Sequence, residues 1–142
     1  MPRPRRRNRV ELWINHLPPS DNTRQRWTTT EQKEFYAFVK IVAEKMRVPK
    51  FVGKTVVEYV TVWPDMRHRD AGNYWKCLSD ALVKAGVLED DRWAIPRCLW
   101  YFGREEIAAL LPDWMAQGGI WVRIYPAIRP KLPFLRRIAN ES

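Results

Sequence analysis

The sequence predicts a small single-domain α/β (α+β) fold with four strands and two main helices, and three observations carry that prediction. Segments rich in β-branched and aromatic residues alternate with segments whose apolar residues recur at helical spacing, and proline or glycine separates them. Hydrophobic residues make up 46% of the 142, enough for one core but not for two. Eight tryptophans argue for a folded globule over a disordered binder.

Taken in order, Val10 to Ile14 reads as a short strand. The run Leu17-Pro18-Pro19-Ser20-Asp21-Asn22 is a loop, since its prolines forbid helix and its polar residues favour turns. Thr28 and Glu31 have capping-box spacing and open a helix. Phe35, Val39, Val42 and Met46 form its apolar stripe, and Pro49 lies beyond its end. Thr55 to Trp63 reads as a strand covered on both faces, stopped by Pro64 and Asp65. A second helix covers Gly72 to Ala85, with Gly86 at its C-terminal end. Trp93 to Phe102 is a strand whose Pro96 places it at an edge or a bulge. Glu105 to Met115 is a short helical excursion broken by Pro112. In the last strand, Ile120 to Tyr125, Ile120, Val122 and Ile124 alternate with Trp121, Arg123 and Tyr125. The folded domain therefore runs from 10 to 126, with an inserted excursion at 104–117 and basic tails at 1–9 and 127–142.

The formal net charge of +9 points to a polyanionic partner. Arg3, Arg5, Arg6, Arg7 and Arg9 crowd the start, and Arg129, Lys131, Arg136 and Arg137 close the chain. Such tails read as solvated, disordered ends, which is compatible with tracking phosphates without reading sequence. Cys77 and Cys98 lack zinc-ligand spacing, so reduced thiols and a cytoplasmic location are expected. No apolar run approaches membrane-spanning length, and the basic start is not followed by the apolar segment of a signal peptide. There is no glycine-rich phosphate loop and no nucleophile elbow, so no nucleotide cofactor is expected.

Against this basic background, acids cluster between Arg69 and Asp91. At about 100° per residue, Asn73, Lys76, Asp80 and Lys84 share roughly a quarter of the second helix's circumference. Trp75, Leu78, Leu82 and Ala85 take the opposite side. Asp70 sits at the helix's N-terminal edge, where a carboxylate caps free amides. An ordinary amphipathic helix with a capping Asp and a Lys76–Asp80 surface pair would look the same. Asp90 and Asp91 are what that reading leaves unexplained. Adjacent acids repel unless solvent, a cation or a basic side chain compensates, and a hard cation such as Mg²⁺ takes oxygen ligands and keeps several waters. Acids on a surface built for phosphate suggest a metal-dependent enzyme acting on nucleic acid.

The run Arg69-Asp70-Ala71-Gly72-Asn73-Tyr74-Trp75-Lys76, then Asp80-Ala81-Leu82, then Ala85-Gly86-Val87-Leu88-Glu89-Asp90-Asp91 resembles the RusA-type Holliday junction endonucleases, common in bacteriophages and prophages. The loop from Leu17 to Asn22 resembles that family's Pro-Pro-Ser-x-Asn segment. The resemblance covers most of positions 10 to 126, outside the tails and the excursion at 104–117. It implies an α+β domain built on a mixed four-stranded sheet. It also implies a homodimer that binds four-way DNA junctions and cuts symmetrically placed strands with Mg²⁺, Mn²⁺ being an acceptable substitute. Asp70 and Asp91 fall on metal-ligand positions, Lys76 on the essential lysine and Asn73 on the motif asparagine. Asp90 and Asp80 match acidic positions, Asp90 as a further metal ligand and Asp80 in support.

One position departs from the pattern: Gly72 stands where the family usually has a second Asp. Either Asp90, Asn73 or water completes the metal shell, or the protein binds branched DNA and cuts weakly or not at all. Expected DNA contacts are Arg24, Arg26, Arg67, His68, Arg69 and Lys84. His16 and His68 are too few for a histidine metal site. Trp27, after Arg24 and Arg26, is the best candidate for stacking on an exposed base, with core packing as its alternative. An RNA-binding accessory protein would leave the clustered acids unexplained.

Overall fold

The computed structural model of the chain describes residues 8–17, 30–63, 74–115, 117–129 and 132–141. Four strands, β1 (Val10–Ile14), β2 (Thr55–Val62), β3 (Ala94–Phe102) and β4 (Gly119–Pro126), form one sheet in the order β1-β4-β2-β3. β4 runs antiparallel to β1 and β2, while β2 and β3 are parallel, so the sheet is mixed. A parallel pair cannot be closed by a hairpin, and α2 (Trp75–Lys84) lies on the crossover between β2 and β3. α1 (Thr30–Lys45) packs beside α2 and against β1.

One core joins these elements. Leu12 and Ile14 from β1, Val57 and Tyr59 from β2 and Ile120, Val122 and Ile124 from β4 meet the two helices. The alternation expected along β4 holds: its even-numbered residues from Ile120 to Ile124 are fully buried, and Trp121, Arg123 and Tyr125 are half-buried on the other face. β2 is covered on both faces, with Val60 alone half-buried. On α1 the buried stripe is Phe35, Val39 and Ala43, an i, i+4, i+8 series. Met46, expected to continue the stripe, is 57% exposed because the helix has already ended at Lys45.

Among the described residues β1 and β3 are the two edges of the sheet, and the edge position of β3 suits Pro96, since proline cannot donate to a ladder. Its pairing with β2 skips Leu99, passing from Tyr59↔Cys98 to Val60↔Trp100. That one-residue bulge turns Trp100 and Phe102 to the face away from the helices. Beyond β3, α3 (Arg104–Leu110) and a 3₁₀ turn at Asp113–Met115 flank Pro112, as the sequence suggested. The closing segment, expected as a solvated tail, contains a helix, α4 (Leu132–Glu141). Leu132, Leu135 and Ile138 recur at helical spacing among its arginines, and Pro133 suits a first turn, signals that the charge count hid. No described helix is long and apolar enough to cross a membrane.

Glycine is required at the start of β4. A Cβ on Gly119 would lie 2.5 Å from the Ile14 carbonyl oxygen and 2.7 Å from the Trp13 ring. Gly119→Ala should therefore destabilise the fold by about 1–3 kcal/mol, the usual range for overpacking. Gly103→Ala, where a Cβ meets nothing within 4 Å, should stay within about 0.5 kcal/mol of the wild type. Equal melting temperatures for the two variants would refute the assignment.

Candidate active site

The site depends on how α2 ends. Gly86, with φ +76°, adopts the left-handed conformation that follows a helix C-terminus. The Gly86 amide donates to the Val83 carbonyl and the Val87 amide to that of Leu82, both at 3.0 Å, which completes a Schellman closure. Val87 and Leu88 are then buried, and the Phe51 amide donates to the Val87 carbonyl at 2.8 Å. Glu89 accepts from the Gly53 amide at 3.0 Å. The return toward β3 is thus pinned to the segment leading into β2. Asp90 caps the 3₁₀ turn Asp91–Trp93, its Oδ1 accepting from the Arg92 amide at 3.0 Å.

This turn aims Asp91 back at α2. Lys76 Nζ lies 3.0 Å from Asp91 Oδ2 and 3.3 Å from Asp80 Oδ1. The Asp80 contact is the i, i+4 pair expected from the sequence; the Asp91 contact joins elements fifteen residues apart. The hydrogen bond from Lys76 holds Asp91 below the ordinary aspartate value, with a smaller contribution from Asp90. Reciprocally, the Asp91 bond raises Lys76, opposed by burial and assisted by Asp80. Asp90 Oδ2 is engaged by Arg92 Nε at 3.3 Å, and the Arg92 guanidinium lies over the Trp93 ring at 5.6 Å.

Of the residues expected to form the site, Lys76, Asp80 and Asp91 come together, with Asp90 beside them in the sequence. Lys84, expected on DNA, has its ammonium 4.3 Å from the centroid of the Tyr36 ring. Asp70, Gly72, Asn73, Arg24, Arg26, Trp27, Arg67, His68 and Arg69 lie outside the described residues, and with them the expected start of the second helix at Gly72; among the described residues α2 begins at Trp75. Among the described residues, no three His, Cys, Asp or Glu side chains gather into a metal-binding group; Asp80 and Asp91 instead share the Lys76 ammonium.

Two neighbours escaped the sequence reading. Tyr36 of α1 is pushed up to about 12, by burial first and then by Cys77 and Asp80, so it stays a neutral hydroxyl accepting from Gln32 at 2.7 Å. Its signal was a polar aromatic next to the buried Phe35. Arg92 was legible as the cation directly after the two acids.

A paired ammonium and acids on the rim of a basic domain suit work on a phosphate backbone. The family model for the endodeoxyribonuclease RusA matches residues 2–124. The chain belongs to the RusA endodeoxyribonuclease family. The RusA match extends beyond the span read from motifs, taking in most of the N-terminal basic segment and the excursion with α3. A search of curated proteins found no match.

The Lys76–Asp91 pair predicts a pH signature. Asp91's lowered value contributes stability fully above the ordinary aspartate range and loses it as pH falls through that lowered value. Lys76's raised value contributes fully below the ordinary lysine range and loses it as pH rises through the raised one. Both side chains are more than a third exposed, so the contribution to stability is small. Carboxyl NMR should show Asp91 titrating at higher pH in Lys76→Ala than in the wild type. An unmoved titration would mean that the pair does not form in solution.

Proposed function

We propose that this RusA-family protein resolves four-way DNA junctions by Mg²⁺-dependent phosphodiester hydrolysis. The observation that carries the reading is Lys76 held between Asp80 and Asp91, at positions where the family motif has its lysine and acids. The donor set suits a hard cation: Asp90 and Asp91 offer exposed carboxylate oxygens, and both retain acceptor capacity beyond their present bonds. Asp91, Asp90 and Asp70 would hold the ion. When bound, it supplies polarisation of the scissile phosphate and acidifies a coordinated water.

The protein's own groups do the rest. Lys76 is fixed by two carboxylates instead of ranging on its flexible stem, so its charge is aimed before substrate arrives. Asp80 retains the ammonium if Asp91 turns to another partner. Arg92, 74% exposed and next to the acids, offers a cation to the neighbouring phosphate. Junction selectivity then comes from the shape of the bound arms, not from base readout.

Symmetric cutting needs two sites, which a two-fold dimer supplies. β3 favours such a dimer: it is an open edge with Ile95, Leu99, Trp100 and Tyr101 each at least 37% exposed.

Purified protein should cut a labelled four-way junction in Mg²⁺ and stop in EDTA; undiminished cutting in chelator refutes the metal mechanism. Asp70→Asn and Asp91→Asn should bind the junction yet cut at least roughly 100-fold more slowly, since losing even a partner that only supports a metal ligand costs about 10–100-fold. If Asp70→Asn cuts at the wild-type rate, Asp70 is only a helix cap. Gly72 favours the second reading, a junction-binding protein that does not cut, because glycine offers no ligand. Gly72→Asp should lower the Mg²⁺ concentration needed for cleavage. An unchanged requirement would mean that Asp90, Asn73 or water already fills that position.

A further inference from the structure

The sheet face turned away from α1 and α2 is ordered in rows. Strand register aligns Glu11, Arg123, Glu58 and Arg97 across the sheet, and beside them Trp13, Trp121, Val60 and Trp100. Next to the charged row, a cavity of about 420 Å³ opens between Arg9, Glu58, Arg123, Tyr125, Pro126 and Ile128. That volume lies within the range of small-ligand pockets.

Its floor is an acid with unused capacity. The Glu58 side chain is 8% exposed and accepts from Arg123 Nε. Burial raises the Tyr125 hydroxyl above the ordinary tyrosine value, and Glu58 raises it further through charge and a hydrogen bond. The hydroxyl therefore stays protonated beside Glu58. A carboxylate offers roughly four acceptor sites, so lone pairs remain for a ligand's N–H groups. The Tyr125 ring and Ile128, 82% exposed, supply apolar walls, and Arg9 stands in the lining as a cation.

The cavity also lies near the chemistry. Pro126 pairs with Thr55, and Thr55 pairs with Ala94, which follows the turn that holds Asp91. The cavity and the Lys76–Asp91 pair therefore flank the same end of the sheet from opposite faces.

We propose that this cavity takes one unpaired nucleotide of the bound DNA, its base against Tyr125, its Watson–Crick N–H edge at Glu58 and its phosphate at Arg9. The proposal rests on the endonuclease reading and adds a source of discrimination to it. Every base carries an N–H donor on its Watson–Crick edge, and that edge is free only when the base is unpaired. At a branch point stacking is interrupted, so a flanking base leaves its pair at lower cost than in continuous duplex. Acceptors at the floor, a ring at the wall and a cation in the lining match the three parts of a nucleotide.

The test uses the full chain and a four-way junction carrying 5-iodouracil at the nucleotides flanking the branch. After irradiation, crosslinked residues are mapped by mass spectrometry. Tyr125 should be the principal crosslink in the wild type. Ile128→Trp, placed at an exposed position so that folding is not at risk, should fill the cavity and abolish that crosslink. It should also shrink the junction's advantage over linear duplex about fivefold, the low end of what stacking one base contributes. A bound junction crosslinked only elsewhere, or a Tyr125 crosslink undiminished in Ile128→Trp, overturns the proposal. Failure to bind any junction would overturn the endonuclease reading itself, and this proposal with it.

Discussion

A helix that must turn back into a parallel strand within a few residues has little conformational choice, and the return from α2 to β3 governs the site. Gly86 takes the positive φ that an L side chain would resist, and the Schellman bonds close the helix. Val87 and Leu88 then bury, and the Phe51 and Gly53 amides fasten the turn to the strand it will join. Only with this path fixed does Asp91 reach a lysine in the first turn of the helix. The turn is fastened by backbone bonds, apolar burial and the Glu89 carboxylate on the Gly53 amide; the Lys76–Asp91 contact follows from them.

The ion pair itself is half exposed and contributes little to stability; in the proposed function its value lies in preorganisation. A lysine free to rotate would spend rotamer entropy on meeting a phosphate; one already held by two acids has lost most of it. The same acids compensate each other's repulsion through the ammonium, which accounts for a carboxylate pair at the rim of a basic protein.

Much of this was legible in the sequence, for identifiable reasons. Periodicity located β1, β4 and both main helices, each with one apolar face, while β-branched and aromatic content located β2 and β3. Gly86 announced the closure, and Pro96 announced the edge. Met46 misled because apolar spacing continues one residue past the helix end, where Ala43 does the burying. α4 was hidden by its arginines, which dominated the composition of a segment whose apolar residues are helically spaced. Lys76 and Asp80 could be paired from spacing alone. The Asp91 contact could not, because it depends on the three-dimensional course of a turn. The second face of the sheet was beyond reach for the same reason: Glu58, Arg123 and Tyr125 become neighbours only through strand order and register.

That strand order bears on how the chain is made. β4, the last strand in sequence, sits between β1 and β2, the first two. While the chain is being synthesised, β1 and the inner side of β2 therefore have no partner until residues near 126 have been released. Translation delivers residues at roughly 5–20 per second, far slower than local helix formation. α1 and α2 can form early on the nascent chain, but the sheet against which they pack cannot close until β4, ending at Pro126, has emerged. During that interval β1 and the inner side of β2 stand unpaired, and the net charge of +9 opposes association of such edges with those of another copy.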